Sequence, residues 1–349
     1  MKILINTPRL IPHGGVANHY LGLKDYWTEN VLYNPIGKKG DKQGSGKYRL
    51  PFDVLNFIRK IICFNPDIIL LNPSLSKSAV VRDLIFLRIA RFFGRKVAVF
   101  FHGFDINSQK DINIKVLAKQ LNRAECILVL ASEFANILKS WGVKVPIHIT
   151  STKVCDSLVE SFDVDRRNGA VKNILFLARI TENKGIYIAL EAVKILQESF
   201  DDLTFTVVGD GPALQKAKDL CVAKEIKNVN FTGVLQGNSI SVVYQQADLY
   251  LFPTYHAEGL PTSLLEAMAF GLPVISRPVG GVCDFFECGR MGQLVQSLSP
   301  SDFANAMMPY IVDRQKTLET SVYNYNYAKR RFMASMVAKE LEEILKKYI

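Results

Sequence analysis

The chain lacks several features that would set its class at once. No run reaches the roughly 18 apolar residues of a membrane-spanning helix, so none is expected. No C-x-x-C pair occurs among the six cysteines (Cys63, Cys126, Cys155, Cys221, Cys283 and Cys288), which argues against a zinc site or a disulfide framework. Buried thiols in a reducing cytoplasm are the expectation. The opening "MKILINTPRLIP" is too short of apolar residues for a secretory signal, so export is not expected. Low-complexity tracts and short-period repeats are missing as well.

What is present suits a globular chain with real cores: 48% of residues are hydrophobic and 22% charged. A length of 349 residues favours two domains. The net charge of +10 is unevenly spread. Residues 1–165 hold 23 Lys and Arg against 14 Asp and Glu, whereas the remainder holds 20 against 19. The first half is therefore the one expected to meet an anionic partner.

Short apolar runs alternate with helical patterns along the whole chain. "KILIN", "DIILLN", "KVAVFFHG" and "ECILVLAS" read as buried strands in the first half; "NILFLAR", "LTFTVVG", "DLYLFPT" and "LPVISR" repeat the pattern in the second. Between them lie helices such as "AVVRDLIFLRIARFFG", "GIYIALEAVKILQES" and "PALQKAKDLCVAKE". Fully apolar strands separated by helices imply parallel sheets covered on both faces, here two Rossmann-like α/β domains. The polar segment 162–173 is the expected linker, and "MVAKELEEILKKYI" an amphipathic tail helix, apolar at Val337, Leu341, Ile344 and Leu345.

Two basic features of the first half stand out. The loop "NPIGKKGDKQGSGKYRLP" carries four glycines, two prolines and a clear excess of basic residues over one acid. The helix around Arg82, Arg88, Arg91, Arg95 and Lys96 also carries Leu84, Ile85, Leu87, Ile89, Phe92 and Phe93. Both read as solvated surface or as contacts with anionic lipid.

The stretch "HAEGLPTSLLEAMAFGLPVIS" places two glutamates, Glu258 and Glu266, around a helix start that follows the strand "DLYLFPT". Ligands of parallel α/β sheets bind at the carboxyl ends of strands, where free helix amides favour phosphate. Pro261 suits the first turn, and Gly271 with Pro273 stops the helix. Carboxylates on either side of a diphosphate make sense if they grip neutral hydroxyls. Ser263-x-x-Glu266 also fits a capping box, so both readings of Glu266 stay open.

The pattern E-G-x-P-x-x-x-x-E-A-M-A-x-G-x-P-V-I resembles the signature of retaining glycosyltransferases of GT-B fold, the large group 1 family. Further elements of the family appear in order. "PHGGVANHY" resembles its Gly-Gly loop, "FFHGFD" its His-Gly segment and "LARITENKG" its Arg-x4-Lys-Gly element. "VVGDGP" resembles its glycine turn, "NVNFTGVL" the strand and loop beneath the base, and "GGVCDFF" its Gly-Gly-x-x-acid pattern.

The resemblance implies a GT-B chain. Residues 1–165 and a crossover helix 332–349 would form the acceptor domain, and 166–331 the nucleotide-sugar domain. Arg179 and Lys184 would neutralise the diphosphate, doing the work of a metal, so no metal or cofactor is expected. Glu258 would orient the sugar, His102 would contact it near the reacting carbon, and Glu266 would bind the ribose. Gly14, Gly15, Gly209, Gly259, Leu260, Pro261 and Thr262 would line the donor, and Val234 and Leu235 would meet the base.

The expected function is transfer of a sugar from a UDP- or GDP-sugar, with retention, to a saccharide or lipid-linked saccharide. Such an acceptor would place the enzyme in bacterial polysaccharide assembly. The expected location is the cytoplasm, with peripheral contact at the inner face of an anionic membrane.

Rival readings are weaker. An Asp-x-Asp of metal-dependent transferases occurs at Asp163 and Asp165, but in the expected linker. A dinucleotide fingerprint at "VVGDGPALQ" places Leu214 where the third glycine belongs. Against an epimerase of the same fold, the Glu258/Glu266 signature argues for transfer; a non-catalytic partner subunit would usually have lost the phosphate-binding cations or glutamates, and all are present. No aromatic platform suggests nucleic acid.

Overall fold

The apolar runs read in the first half become inner strands because each is buried on both faces, leaving no polar face to alternate with. The computed structural model describes residues 1–10, 14–37, 49–73, 77–103 and 112–349. Most of the basic glycine-rich loop, at 38–48, lies outside them, as do Pro12 and His13 of the first Gly-Gly element and Phe104 and Asp105 of the His-Gly segment. The chain divides into two units. The first comprises Met1–Lys153, Ala257–Leu260 and Ala334–Ile349; the second comprises Val154–His256 and Pro261–Met333.

In the first unit the order is β1 (Lys2–Pro8), α1 (Gly15–Leu23), β2 (Asn30–Ile36), α2 (Leu50–Phe64), β3 (Ile68–Leu71) and α3 (Lys77–Phe92). There follow β4 (Lys96–Phe101), α4 (Ile114–Leu121), β5 (Cys126–Val129), α5 (Ser132–Ser140) and β6 (Ile147–Ile149). The strands form one parallel sheet in the order β2-β1-β3-β4-β5-β6, with Ile3 opposite Ile68 and Leu4 opposite Ile69. One face packs Phe57 and Ile61 of α2, and Phe86 and Leu87 of α3, against Ile69, Val97 and Val99.

The second unit contains α6 (Asp156–Val159), β7 (Asn173–Leu177), α7 (Ile186–Gln197), β8 (Thr204–Val208), α8 (Leu214–Ala223), β9 (Val229–Gly233) and α9 (Asn238–Gln246). It continues with β10 (Leu249–Phe252), α10 (Thr262–Ala269), β11 (Val274–Ser276), β12 (Gly292–Leu294), α11 (Pro300–Val312) and α12 (Arg314–Arg331). Its parallel sheet runs β12-β11-β10-β7-β8-β9, so the strand order reverses between β7 and β10. That reversal opens a crevice at the carboxyl ends of these two strands.

The last helix, α13 (Ala334–Lys346), folds with the first unit. Its predicted apolar face, Val337, Leu341, Ile344 and Leu345, is buried. The buried Glu342 carboxylate accepts from Thr28 N (2.8 Å), Thr28 Oγ1 (2.5 Å) and Glu29 N (2.9 Å), while Lys346 pairs with Glu29 at 2.8 Å.

Two expectations are corrected. The units divide at Lys153/Val154 rather than 165/166, and the polar segment 162–173 is part of the second unit. Arg167 explains why: its guanidinium donates to Tyr244 O (2.9 Å), Gln245 O (3.2 Å), Phe270 O (2.8 Å) and Ala247 O. These are carbonyls that the ends of α9 and α10 leave without helical partners. The thiols are also less buried than expected: Cys126 is buried, but Cys63, Cys283 and Cys288 are exposed.

Candidate functional site

In the second unit the loops after β7 and β8 continue the pairing of their strands. Ala178 N donates to Val208 O (3.1 Å), Ile180 N to Asp210 O (2.9 Å), and Gly209 N to Gly233 O (2.8 Å). Gly209 has φ 133°, and a Cβ there would collide with Ala178 O; one on Gly211 would collide with Ile180 O. Two glycines are thus what lets the main chains lie together. The extended stretch turns Ile180 into the core and Arg179 outward. Arg179 is exposed and has no ion pair among the described residues.

Lys184 follows in a short 3₁₀ turn, Glu182–Lys184, with its Nζ 5.8 Å from the centre of the Phe252 ring. Gly185 closes the turn at φ 86°, where any Cβ would strike Pro253 O at the end of β10. Asn183 ties this loop to the one after β10: its carbonyl accepts from Tyr255 N (2.9 Å), His256 N (3.1 Å) and Thr254 Oγ1 (3.2 Å). Its side-chain amide lies 3.0 Å from His256 Nδ1. Asn183 and His256 carry no spacing signal in the sequence, because they meet only where the two loops fold together. The two loops so joined flank the point where strand order reverses.

Helix α10 begins at Thr262 with the buried Pro261 as its N-cap and no side-chain cap hydrogen bond, so Ser263-x-x-Glu266 does not form the capping box. Ser263 lies inside the helix, so it caps nothing; its Oγ is 2.7 Å from Tyr250 Oη. The half-buried Glu266 carboxylate instead accepts from Tyr244 Oη at 2.9 Å. Burial, and then the Glu266 charge, raise the Tyr244 phenol well above its ordinary value, so it stays a donor. On the far side of the sheet edge, Val234 is exposed and Leu235 half-buried, leaving an apolar wall beyond β9.

The first unit places its candidates at the carboxyl ends of its own strands. Gly14 caps α1 at φ 96°, and among the described residues nothing lies within 4 Å of where a Cβ on Gly14 or Gly15 would stand. His102 follows β4, its ring centre 3.8 Å from that of Phe100 and tilted by 31°, and it is hydrogen-bonded through Nε2 to Asn72 Oδ1 at 2.9 Å. Burial pushes its pKa down to about 3, which keeps the ring neutral. His19 stands edge-on at 4.9 Å, its own pKa lowered by burial and by His102. Glu258 and Gly259 are half-buried and Leu260 is buried, all three grouped with this unit. The Asp163–Asp165 pair turns out to be local: Asp163 Oδ1 accepts Asp165 N at 3.0 Å and caps a 3₁₀ turn.

Residues 160–331 match the family model described as glycosyl transferases group 1. This likeness falls almost wholly within the second unit. WcaL of Salmonella typhimurium, named for colanic acid biosynthesis, is 26% identical over 258 residues, covering 72% of this chain and 62% of that protein. AmsK of Erwinia amylovora, an amylovoran biosynthesis glycosyltransferase, is 28% identical over 212 residues, or 58% of this chain and 51% of that one. The chain thus spans less than two thirds of the length of these curated relatives.

Among solved structures, Anabaena HepE in complex with UDP has a TM-score of 0.75 at 19% identity, covering 99% of this chain and 100% of that one. A sucrose-phosphate synthase from Thermosynechococcus elongatus has a TM-score of 0.70 at 15% identity, with 99% and 98% covered. The two units therefore share the two-Rossmann GT-B fold of these structures.

Proposed function

We propose that the chain transfers a sugar from a nucleotide diphosphate sugar to an acceptor hydroxyl with retention of configuration. The observation that carries this is Arg179: an exposed cation with no ion pair among the described residues, on a loop whose backbone is hydrogen-bonded in place at the strand-order reversal of the second unit. Arg179 and Lys184 face the diphosphate, whose charge grows as the bond from the anomeric carbon to phosphate breaks. Fixed cations aimed at developing charge lower the barrier without a metal ion.

The acceptor oxygen bonds to the anomeric carbon on the face the diphosphate leaves, and its proton passes to a departing phosphate oxygen. His102, neutral as described, serves as a polar contact rather than as an acid. Glu258 holds sugar hydroxyls, and Glu266, steadied by Tyr244, holds the ribose. Gly14, Gly15, Gly209, Gly259, Leu260, Pro261 and Thr262 line the donor, with Val234 and Leu235 beside the base.

HepE has been crystallised with UDP-glucose, which supports a UDP-sugar here, with a GDP-sugar as the alternative. The names of WcaL and AmsK support a saccharide acceptor in polysaccharide assembly. A lipid-linked form of that acceptor would suit the basic first unit at an anionic cytoplasmic membrane face.

The direct test mixes the enzyme, in EDTA, with UDP-glucose, UDP-N-acetylglucosamine or GDP-mannose and a polyprenyl-diphosphate saccharide. Proton NMR then reads the new glycosidic linkage. A product with the donor's own anomeric configuration is expected. An inverted linkage, or an epimerised nucleotide sugar without transfer, contradicts the proposal.

A further inference from the structure

A ladder of asparagines crosses the carboxyl edge of the first sheet, and its polarity can be read without placing any hydrogen. Asn56 Nδ2 donates to Asn34 Oδ1 (2.9 Å), and Asn34 Nδ2 to Asn6 Oδ1 (2.7 Å). The main-chain carbonyl of Asn6 receives Asn72 Nδ2 at 2.9 Å. A carbonyl can only accept, so Asn72 must turn its NH₂ toward Asn6 and its oxygen the other way. That oxygen faces Tyr20 Oη at 2.6 Å and His102 Nε2 at 2.9 Å. Tyr20 is 0% exposed, and Asn34, Asn6 and Asn72 are all buried, so the ladder has no water to reorganise with.

Opposite a carbonyl-type oxygen, a neutral imidazole must present its N–H. His102 therefore carries its proton on Nε2, and Nδ1 keeps the lone pair. We propose that Asn72 is a positioning residue that fixes His102 as the Nε2–H tautomer, so that Nδ1 accepts a hydrogen bond from a hydroxyl of the donor sugar. The kinetic half of this rests on the donor-sugar contact proposed above; the tautomer does not. Tyr20 is the second donor to the same oxygen and is not needed to set the proton.

The test uses the full chain labelled with ¹⁵N-histidine, with the His102 signals assigned by His102→Gln among the five histidines. Long-range ¹H–¹⁵N spectra at neutral pH should show a protonated, exchange-protected Nε2 and a bare Nδ1. Asn72→Asp and Tyr20→Phe should keep that pattern, because the acceptor oxygen remains, whereas Asn72→Ala should lose the protected proton. With the sugar nucleotide that the wild type turns over, Asn72→Ala should lower kcat about tenfold with KM little changed, the scale of one misdirected hydrogen bond. Melting curves of the three variants confirm that each is folded. A wild-type ring protonated on Nδ1 overturns the proposal. So does unchanged turnover in a folded Asn72→Ala that has lost the Nε2 signal, although the donor site would then stand. A wild type that turns over no sugar nucleotide sinks the transferase reading instead, while the spectrum still decides the tautomer.

Discussion

Glu266 shows what single residues disclose and what they hide. Its carboxylate meets the Tyr244 hydroxyl inside the second unit, so two substitutions separate its roles. Glu266→Gln keeps an oxygen for Tyr244 but removes the charge offered to the ribose. It should weaken nucleotide binding about tenfold, the scale of a hydrogen bond to a charged group, with little change in melting temperature. Glu266→Ala should weaken binding as much and also destabilise the fold by about 1 kcal/mol, because the buried phenol loses the shorter of its two hydrogen bonds and keeps only the one to Ser263 O at 3.1 Å. Equal melting temperatures for the two variants would contradict the Tyr244 assignment.

Gly209→Ala is harsher. At φ 133°, against Ala178 O, the new methyl forces the loop that carries Arg179 to move. Binding should be lost along with about 1–3 kcal/mol of stability, measurable by urea unfolding.

Arg179, Lys184 and both glutamates stood out in the sequence because their spacing along one loop or helix carries the pattern. Asn72, Tyr20, Tyr244 and Asn183 did not. Each acts on a partner brought from a distant strand or helix, and no local period records that meeting.

Among elements, the inner strands were plain, and of the four outer ones only β9 was legible. β2, β6 and β12 lie at sheet edges, and their residues are largely half-buried, so their runs are short and mixed with polar residues. The short 162–173 segment looked like a linker because it is polar, yet its Arg167 ties the ends of α9 and α10. Arg167→Ala should destabilise the second unit by about 3 kcal/mol, since buried carbonyls lose their donor. An unchanged urea midpoint would show that water replaces the guanidinium there.

The basic helix α3 is likewise more occupied than its sequence suggests. Arg82 pairs with Asp83 and Arg91 with Glu125, while Arg88 donates to Gln120 and Arg95 to Pro66 O. The more open apolar stripe is on α2, where Phe52 is 73%, Leu55 64% and Ile62 62% exposed, with the exposed Arg59 between them. If this unit meets a membrane, Phe52→Ser with Leu55→Ser and Ile62→Ser should abolish sedimentation with phosphatidylglycerol vesicles and leave melting unchanged. Substituting Arg88 and Arg91 should matter less.

For the whole molecule, acid stability follows from His19 and His102. Both are held neutral in the fold, His102 down to about 3 and His19 well below its ordinary value. In the unfolded chain both titrate near about 6.5, so between that pH and about 3 the unfolded state binds more protons. Stability should therefore fall as pH drops through this window. His102→Gln should show a smaller difference in urea midpoint between pH 7.5 and pH 5 than the wild type. An equal or larger difference would mean that the ring is charged in the fold.

The two-unit plan and its parallel sheets were readable because buried strands and their covering helices alternate twice. The boundary was not, since residues 154–165 join the second unit through distant partners: Val154 N donates to Phe332 O at 2.7 Å, Ser241 Oγ to Leu158 O at 2.9 Å, and the Phe162 ring lies 5.0 Å from that of Phe270.

The central claim, that the second unit holds a nucleotide diphosphate on Arg179 without metal, is tested most directly by UDP-dependent thermal stabilisation in EDTA. UDP at a hundred times its dissociation constant should stabilise the wild type by about 2.7 kcal/mol. Arg179→Ala should lose most of that gain while melting normally alone. Stabilisation that appears only when a divalent metal is added, or that survives intact in Arg179→Ala, would contradict the account.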